Sequence, residues 1–257
     1  MCMERITSKS NRLIKDTKRL ITSSKERREK RLFVLEGARL CFDVLNCVYA
    51  LESVFVTEGA LNKYNDEINL LCDRAENTYL ITDEVAERLS DTESTQGIFA
   101  VCKMPEADSL LTGEKLIALD NVQDPANVGA IVRTAEALGI DGIITYNCCD
   151  LYNPKVLRAS MGGVLRVKAY DVESLEDLLK NLNGYRIYST VPDSTALDIT
   201  KTDFSSKTVC VIGNEANGVE ENIKRLSDAL VTIPMRGRAE SLNAGAAAAI
   251  VMWEMLR

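Results

Sequence analysis

The stretch "IPMRGRAESLNAGAAAAIVMWEMLR" (233–257) decides the reading of the fold. An apolar segment (229–235) reads as a strand running into Pro234. A turn carrying Arg236, Gly237, Arg238 and Glu240 comes next, and then Ser241, Leu242 and Asn243. The Ala and Gly residues behind them read as a helix, since alanine has the highest helix propensity. Polar groups able to meet a ligand thus sit where a strand end passes into a helix start. The helix is almost bare of bulk on one side, so other backbone must approach it closely.

Working outward, strands and helices alternate. The segments 115–120, 141–146, 185–191, 207–215 and 229–235 read as strands, and 127–140, 174–182 and 219–227 as helices. The segment 154–167 reads as a helical turn passing into a strand. This pattern predicts an α/β fold with a mostly parallel sheet and helices on both faces. Upstream, 31–37, 53–57, 78–82 and 97–104 read as strands, with helical stretches over 9–23, 38–50, 58–75 and 83–90. Residues 1–105 therefore form a first, smaller αβ domain. The Pro-, Gly- and acid-containing stretch 106–114 is the expected linker, and 115–257 the second domain.

Composition narrows the chemistry. Hydrophobic residues make up 46% of the chain, enough for a sizeable core. No apolar run reaches the roughly 18 residues a bilayer span needs. Residues 1–19 are charged and lack an apolar signal core, so a cytoplasmic protein without membrane contact is expected. The eight cysteines (2, 41, 47, 72, 102, 148, 149 and 210) form no C-x-x-C pair, and there is no histidine. No metal is expected, and the cysteines read as small buried hydrophobes in a reducing compartment. Without histidine, a Ser-His-Asp triad is excluded, and proton handling falls to carboxylate, Lys, Tyr, Cys or the substrate itself. The net charge of −7 argues against a polyanionic partner, yet its distribution does not. Residues 1–31 hold eleven Lys/Arg against four Asp/Glu, while the remainder holds twenty against thirty-four. Such asymmetry suggests either a basic face for nucleic acid or a solvated helix surface.

Three strand-to-loop junctions carry unusual polar residues: 119–140, 211–223 and 233–257. In an open parallel sheet, ligands bind beyond the carboxyl ends of the strands. In the first, Asn127 is read as the N-cap of the following helix or as a polar group aimed at a ligand. Arg133 is read as a surface ion pair with Glu136 or Glu215, or as a phosphate contact. The second junction, "GNEANG", has the glycine spacing of a phosphate loop, but Val219-Glu220 stands where Lys-Ser/Thr is required. Its carboxylates suit a nucleoside or a sulfonium cation better than a triphosphate. There is no G-x-G-x-x-G, so a nicotinamide site is disfavoured.

Taken together, Asn127…Arg133, Gly213-Asn214-Glu215…Gly218 and Ile233-Pro234-Met235…Ser241-Leu242-Asn243 resemble motifs one, two and three of the SpoU (TrmH-like) family of RNA ribose 2′-O-methyltransferases, within the SPOUT superfamily. The resemblance covers about 115–257. Residues 1–105 resemble the L30e-like RNA-binding domain that often precedes it. The resemblance implies a trefoil-knotted domain and S-adenosylmethionine as the methyl donor. It also implies a homodimer and an RNA substrate, 23S ribosomal RNA ahead of transfer RNA. A non-catalytic RNA-binding protein on the same fold is the competing class. One departure stands out: Ala244-Gly245 follows Asn243 where the family commonly has Val-Ser.

By the same resemblance, Arg133, Asn127, Glu215, Ser241 and Asn243 are the expected catalytic set, with Glu215 orienting Arg133 or the hydroxyl. Gly213, Asn214, Ile233, Met235, Leu242 and Thr190 would border the donor. Lys9, Arg12, Lys15, Arg27, Arg28, Arg158 and Ser160 would track RNA.

Overall fold

A computed structural model describes residues 3–106 and 111–257. Met1–Glu106 with Tyr152–Arg158 form one compact unit, and Ala107–Leu151 with Ala159–Arg257 form the other. The expected linker falls partly on 107–110, outside the described residues. The short segment Tyr152–Arg158, read from sequence as part of the second domain, counts with the first unit. There the Tyr152 ring lies 4.4 Å from that of Phe33, and Arg158 pairs with Asp91 at 2.9 Å.

The first unit runs β1 (Glu4–Ile6), α1 (Arg12–Thr22), α2 (Ser24–Lys30), β2 (Leu32–Glu36), α3 (Ala38–Asp43), β3 (Leu51–Thr57), α4 (Glu58–Lys63), α5 (Asn65–Arg74), β4 (Ala75–Ile81), α6 (Asp83–Leu89) and β5 (Ile98–Lys103). Side-chain caps explain its first helices. Asn11 accepts from the Leu13 N–H to open α1, and Ser23 accepts from the Glu26 N–H to open α2. The sheet order is β1-β4-β3-β5-β2, with β5 antiparallel to both its neighbours. Helix α1 buries Ile14, Thr17, Leu20 and Ile21 and leaves Arg12, Lys15 and Arg19 exposed, while Lys18 donates to the Leu89 and Ser90 carbonyls.

The second unit runs β6 (Lys115–Asp120), α7 (Pro125–Leu138), β7 (Gly142–Tyr146), α8 (Pro154–Ala159), β8 (Ala169–Asp171), α9 (Leu175–Asn181), β9 (Arg186–Thr190), β10 (Leu197–Asp198), β11 (Thr208–Ile212), α10 (Glu221–Leu226), β12 (Ala229–Thr232) and α11 (Ala244–Leu256). Of α8, Pro154–Arg158 count with the first unit and only Ala159 with the second. The seven strands are ordered β10-β12-β9-β11-β6-β7-β8, and every pairing is parallel. Strand β11 is buried along its whole length, as a central parallel strand with covered faces must be. It lies between β6 and β9, so the ends of β12, β9, β11 and β6 come out side by side on one edge.

Several local expectations change. Helix α7 begins at Pro125, not Asn127. Asp124 is its N-cap, accepting from the Ala126 N–H, and proline suits the first turn because its missing N–H is not needed there. The strand expected within 154–167 is absent. Met161 (φ 52°) and Gly162 (φ 82°) are both left-handed, which extended backbone does not allow, and the strand forms later as β8. Strand β12 ends at Thr232, ahead of Pro234, which cannot donate to a ladder.

Helix α11 packs on α7, β6 and β11, burying Ala244, Gly245, Ala248, Val251, Met252 and Met255. A Cβ on Gly245 would lie 3.1 Å from Asn243 Oδ1 and 3.5 Å from the Ala130 Cβ. The smooth face of this helix is thus its contact with α7.

Candidate active site

The loops after β6, β11 and β12 leave the same, carboxyl, end of the parallel sheet, and side chains tie them together. The Asn127 amide Nδ2 donates to Glu215 Oε1 at 2.9 Å. The Asn243 Nδ2 donates to Asn127 Oδ1 at 2.8 Å. The Asn243 Oδ1 in turn accepts from the N–H groups of Gly245 (2.9 Å) and Ala246 (3.3 Å), capping α11. Both ends of this chain are chemically fixed. A carboxylate can only accept, and helix N-terminal N–H groups can only donate. Neither asparagine can flip without breaking a bond at both of its faces. Asn127, buried to 6% exposure, is therefore an oriented bridge between loops 88 and 116 residues away in sequence.

Glu215 is held ionised. Partial burial raises its pKa, but hydrogen bonds from the Asn127 amide and the backbone N–H groups of Glu215, Asp124 and Gln123 outweigh it, and the net shift is downward. The expected contact of Glu215 with Arg133 does not form, because the carboxylate is already occupied by these donors. Nor does Arg133 pair with Glu136, which takes Arg166 at 2.9 Å. Arg133 is exposed on α7 and has no hydrogen-bond or ion-pair partner among the described residues. It lies six residues beyond Asn127, about 9 Å along the axis and about 120° round it.

The loop 213–220 is built without slack. A Cβ on Gly213 would fall 2.1 Å from the Val219 nitrogen and 2.2 Å from the Gly218 carbonyl carbon, so only glycine fits. Asn214 and Gly218 exchange backbone hydrogen bonds at 3.0 and 2.9 Å, and Asn214 Oδ1 accepts from the Ala216 and Asn217 N–H groups. Three residues not expected in the site support this loop. Asp120, fully buried at the end of β6, accepts from the Glu220 N–H at 2.7 Å and from Asn121 Nδ2 at 2.8 Å. Burial pushes the Asp120 carboxyl up, against the lowering by these two bonds. The signal in the sequence was the polar Asp-Asn pair closing a buried strand.

Of the remaining donor-site candidates, Ile233 and Met235 are half-buried and Leu242 is exposed, all in the loop from β12 to α11. Ser241 is exposed in the same loop, with no hydrogen bond to a described residue. Thr190 ends β9 and spends its hydroxyl on the Val211 carbonyl at 2.9 Å.

The RNA-tracking set needs correction. Lys9, Arg12, Lys15 and Arg28 are exposed around α1 and α2. Arg27 is 2% exposed and donates to the Leu20 and Ile21 carbonyls, closing the end of α1. Ser160 is buried, and Arg158 is half-buried in its ion pair with Asp91. Arg27 and Ser160 belong to the packing. Among the described residues, no group of three metal-ligating side chains gathers, and no helix is long and apolar enough to cross a membrane.

A parallel sheet with three cross-tied polar loops at its carboxyl edge defines an α/β ligand-binding protein. Residues 114–253 match the SpoU rRNA Methylase family, and the chain belongs to that family. Residues 11–100 match the MRM3-like substrate binding domain. The chain is 31% identical to the 23S rRNA (guanosine(2553)-2'-O)-methyltransferase RlmP of Bacillus subtilis (strain 168), over 98% of this chain and 99% of that one. It is also 31% identical to the 23S rRNA (uridine(2479)-2'-O)-methyltransferase of Streptomyces viridochromogenes, over 72% of this chain and 68% of that one. An AdoMet-bound rRNA methyltransferase from Sinorhizobium meliloti superposes with a TM-score of 0.87 at 27% identity, covering 98% of this chain and 97% of that one.

Proposed function

We propose that this protein transfers a methyl group from S-adenosylmethionine to a ribose 2′-hydroxyl of 23S ribosomal RNA, as a homodimer. The observation that carries the reading is the Glu215–Asn127–Asn243 bridge, which sets three loops in one arrangement, with Arg133 further along α7 and without a partner among the described residues. The loops suit the donor. Gly213 packs directly on the Gly218–Val219 backbone, which fixes the loop tightly and leaves its backbone groups to meet an adenosine. The ionised Glu215 nearby favours a sulfonium cation over a phosphate. Gly213, Asn214, Ile233, Met235 and Leu242 would hold the donor through their backbones, with Thr190 at the border. When bound, it supplies an electrophilic methyl group.

The chain's own residues supply position and charge. Asn127 and Asn243 hold the loops at fixed separation. Ser241, with its hydroxyl free of the protein's described residues, is available to the ribose. Arg133 carries a planar guanidinium with donors only, so it binds the phosphate beside the target ribose and stabilises negative charge growing on the 2′-oxygen as the hydroxyl proton passes to that phosphate or to water. Glu215, saturated by donors, orients Asn127 and does not act as the base. Lys9, Arg12, Lys15 and Arg28 form a basic face on the first unit for RNA phosphates.

Tritium transfer from labelled S-adenosylmethionine to ribosomal RNA tests the proposal. Arg133→Ala should lose transfer by about 100-fold or more, the usual scale for a transition-state charge partner. Its donor affinity by calorimetry should stay within about threefold of wild type. Equal loss of donor affinity would remove Arg133 from this role. A wild-type protein that binds ribosomal RNA but methylates none would be a binding protein on this fold.

A further inference from the structure

Asn121 holds a conformation and a set of bonds that the catalytic reading leaves unexplained. It follows β6 with φ 58°, in the left-handed region that asparagine tolerates better than other side-chain-bearing residues. From there it holds both feet of the loop 213–220. Its backbone carbonyl accepts from Asn214 Nδ2 at 2.8 Å, at the start of the loop. Its own Nδ2 donates to Glu220 Oε1 at 2.7 Å, at the end of the loop, and to Asp120 Oδ1 at 2.8 Å. Its N–H donates to the Tyr146 carbonyl at 3.0 Å, fixing it to the sheet. Asp120 Oδ2 takes the Glu220 N–H at 2.7 Å, so the second foot is held twice.

The residue type is specific to the task. One side-chain amide meets two carboxylates that would otherwise repel, with a hydrogen for each. Aspartate has no donor to offer and would add a third negative charge. Glycine adopts the backbone conformation but brings no donor. Glu220 is also turned from its local duty: it stands at the N-cap of α10, yet its side chain makes no capping bond and goes to Asn121 instead.

We infer that Asn121, with Asp120 and Glu220, is a positioning device for methyl-donor binding, stapling both ends of the 213–220 loop to the end of β6. The inference rests on the assignment of that loop to the donor. With the loop pre-set, the donor binds without the cost of ordering it. Loss of the staple therefore appears in donor affinity more than in the chemical step.

The test measures S-adenosylmethionine affinity by calorimetry, and kcat and KM for the donor on ribosomal RNA, in the full-length protein. Asn121→Gly should weaken donor binding and raise its KM by about tenfold, with kcat at saturating donor within about threefold of wild type. Glu220→Ala should shift the donor KM the same way, and since the side chain does not cap α10, no helix cap is lost. Glu220→Gln keeps a carbonyl oxygen for the Asn121 amide and should restore affinity to within about threefold. A merely structural role would lower the melting temperature and kcat together, with no recovery in Glu220→Gln. That result, or wild-type KM in Asn121→Gly, would overturn the inference. If Asn121→Gly does not fold, the two Glu220 variants decide. Gly213→Ala separates the two levels. If it folds and binds the donor normally, the loop is not the donor site. If it loses the donor while Asn121→Gly and Glu220→Ala bind normally, the site stands and the staple falls.

Discussion

Asn127 shows how much one side chain can settle. Read from the sequence, it was a helix cap or a ligand contact. It is not the cap, since Asp124 caps α7, and both polar ends of Asn127 are bound within the protein. Its orientation depends on Glu215 being ionised, which gives the bridge a pH dependence of known sign. The folded pKa of Glu215 is below its ordinary value, because donation from Asn127 and the backbone outweighs the raising effect of burial. A depressed carboxylate pKa contributes stability that is complete above the unfolded value and disappears as pH falls through the folded one. The stability advantage of wild type over Glu215→Gln should thus be level from about pH 7 to pH 5, and shrink below the ordinary glutamate range. Urea unfolding across that range measures it. An advantage that grows toward acid would contradict the ionised bridge. Methyl transfer by Glu215→Gln should fall as well, since its amide presents a donor to the backbone N–H groups of Gln123 or Asp124.

At the scale of elements, the C-terminal helix carries the departure from the family pattern. Gly245 takes the place of a serine, and the space beside it is occupied. Its Cβ would approach Asn243 Oδ1 to 3.1 Å, and Asn127 Oδ1 lies 3.7 Å from the same point. The helix therefore presses on the same two asparagines that bridge the loops. Gly245→Val adds a whole isopropyl group against this contact, and overpacking of this kind costs about 1–3 kcal/mol. The variant should lower the melting temperature and cut methyl transfer at least tenfold, while Ala249→Val, on a half-buried position of the same helix, does less. Equal effects would mean that general helix crowding, and not pressure on Asn243, is responsible. What was legible here follows from period and composition. Alternation of strands and helices over 115–257 correctly pointed to the parallel sheet, and the alanine run to a close-packed helix. Strands β1 and β10 went unread because three and two residues carry no period, and they exist by pairing with β4 and β12. The loop bridge was equally invisible, since its members become neighbours only through the strand order. Arg27 was misread because a basic residue in a basic stretch looks solvated, whereas its guanidinium closes the carbonyl end of α1.

At the scale of the whole molecule, the surface that α11 turns outward is the feature left to explain. Helix α11 buries Ala244, Gly245, Ala248, Val251, Met252 and Met255 and leaves Ile250, Trp253 and Leu256 at 38%, 60% and 42% exposure. Spaced by three, they stay close on one side of the helix, and Leu242 at 38% precedes it in the loop that carries Ser241. Scattered apolar residues need no cause, but a tryptophan among neighbours on one helix marks a contact surface. A twofold dimer uses one such patch on both copies, facing itself. The wild type should therefore run in light scattering at twice the 28.4 kDa chain mass at micromolar concentration. Trp253→Glu places a charge in each half of the patch and should yield a folded monomer, with circular dichroism unchanged and methyl transfer reduced at least tenfold. A wild-type monomer would refute the dimer outright. A monomeric Trp253→Glu with full activity would show that each chain holds a complete site and that the dimer serves something other than transfer.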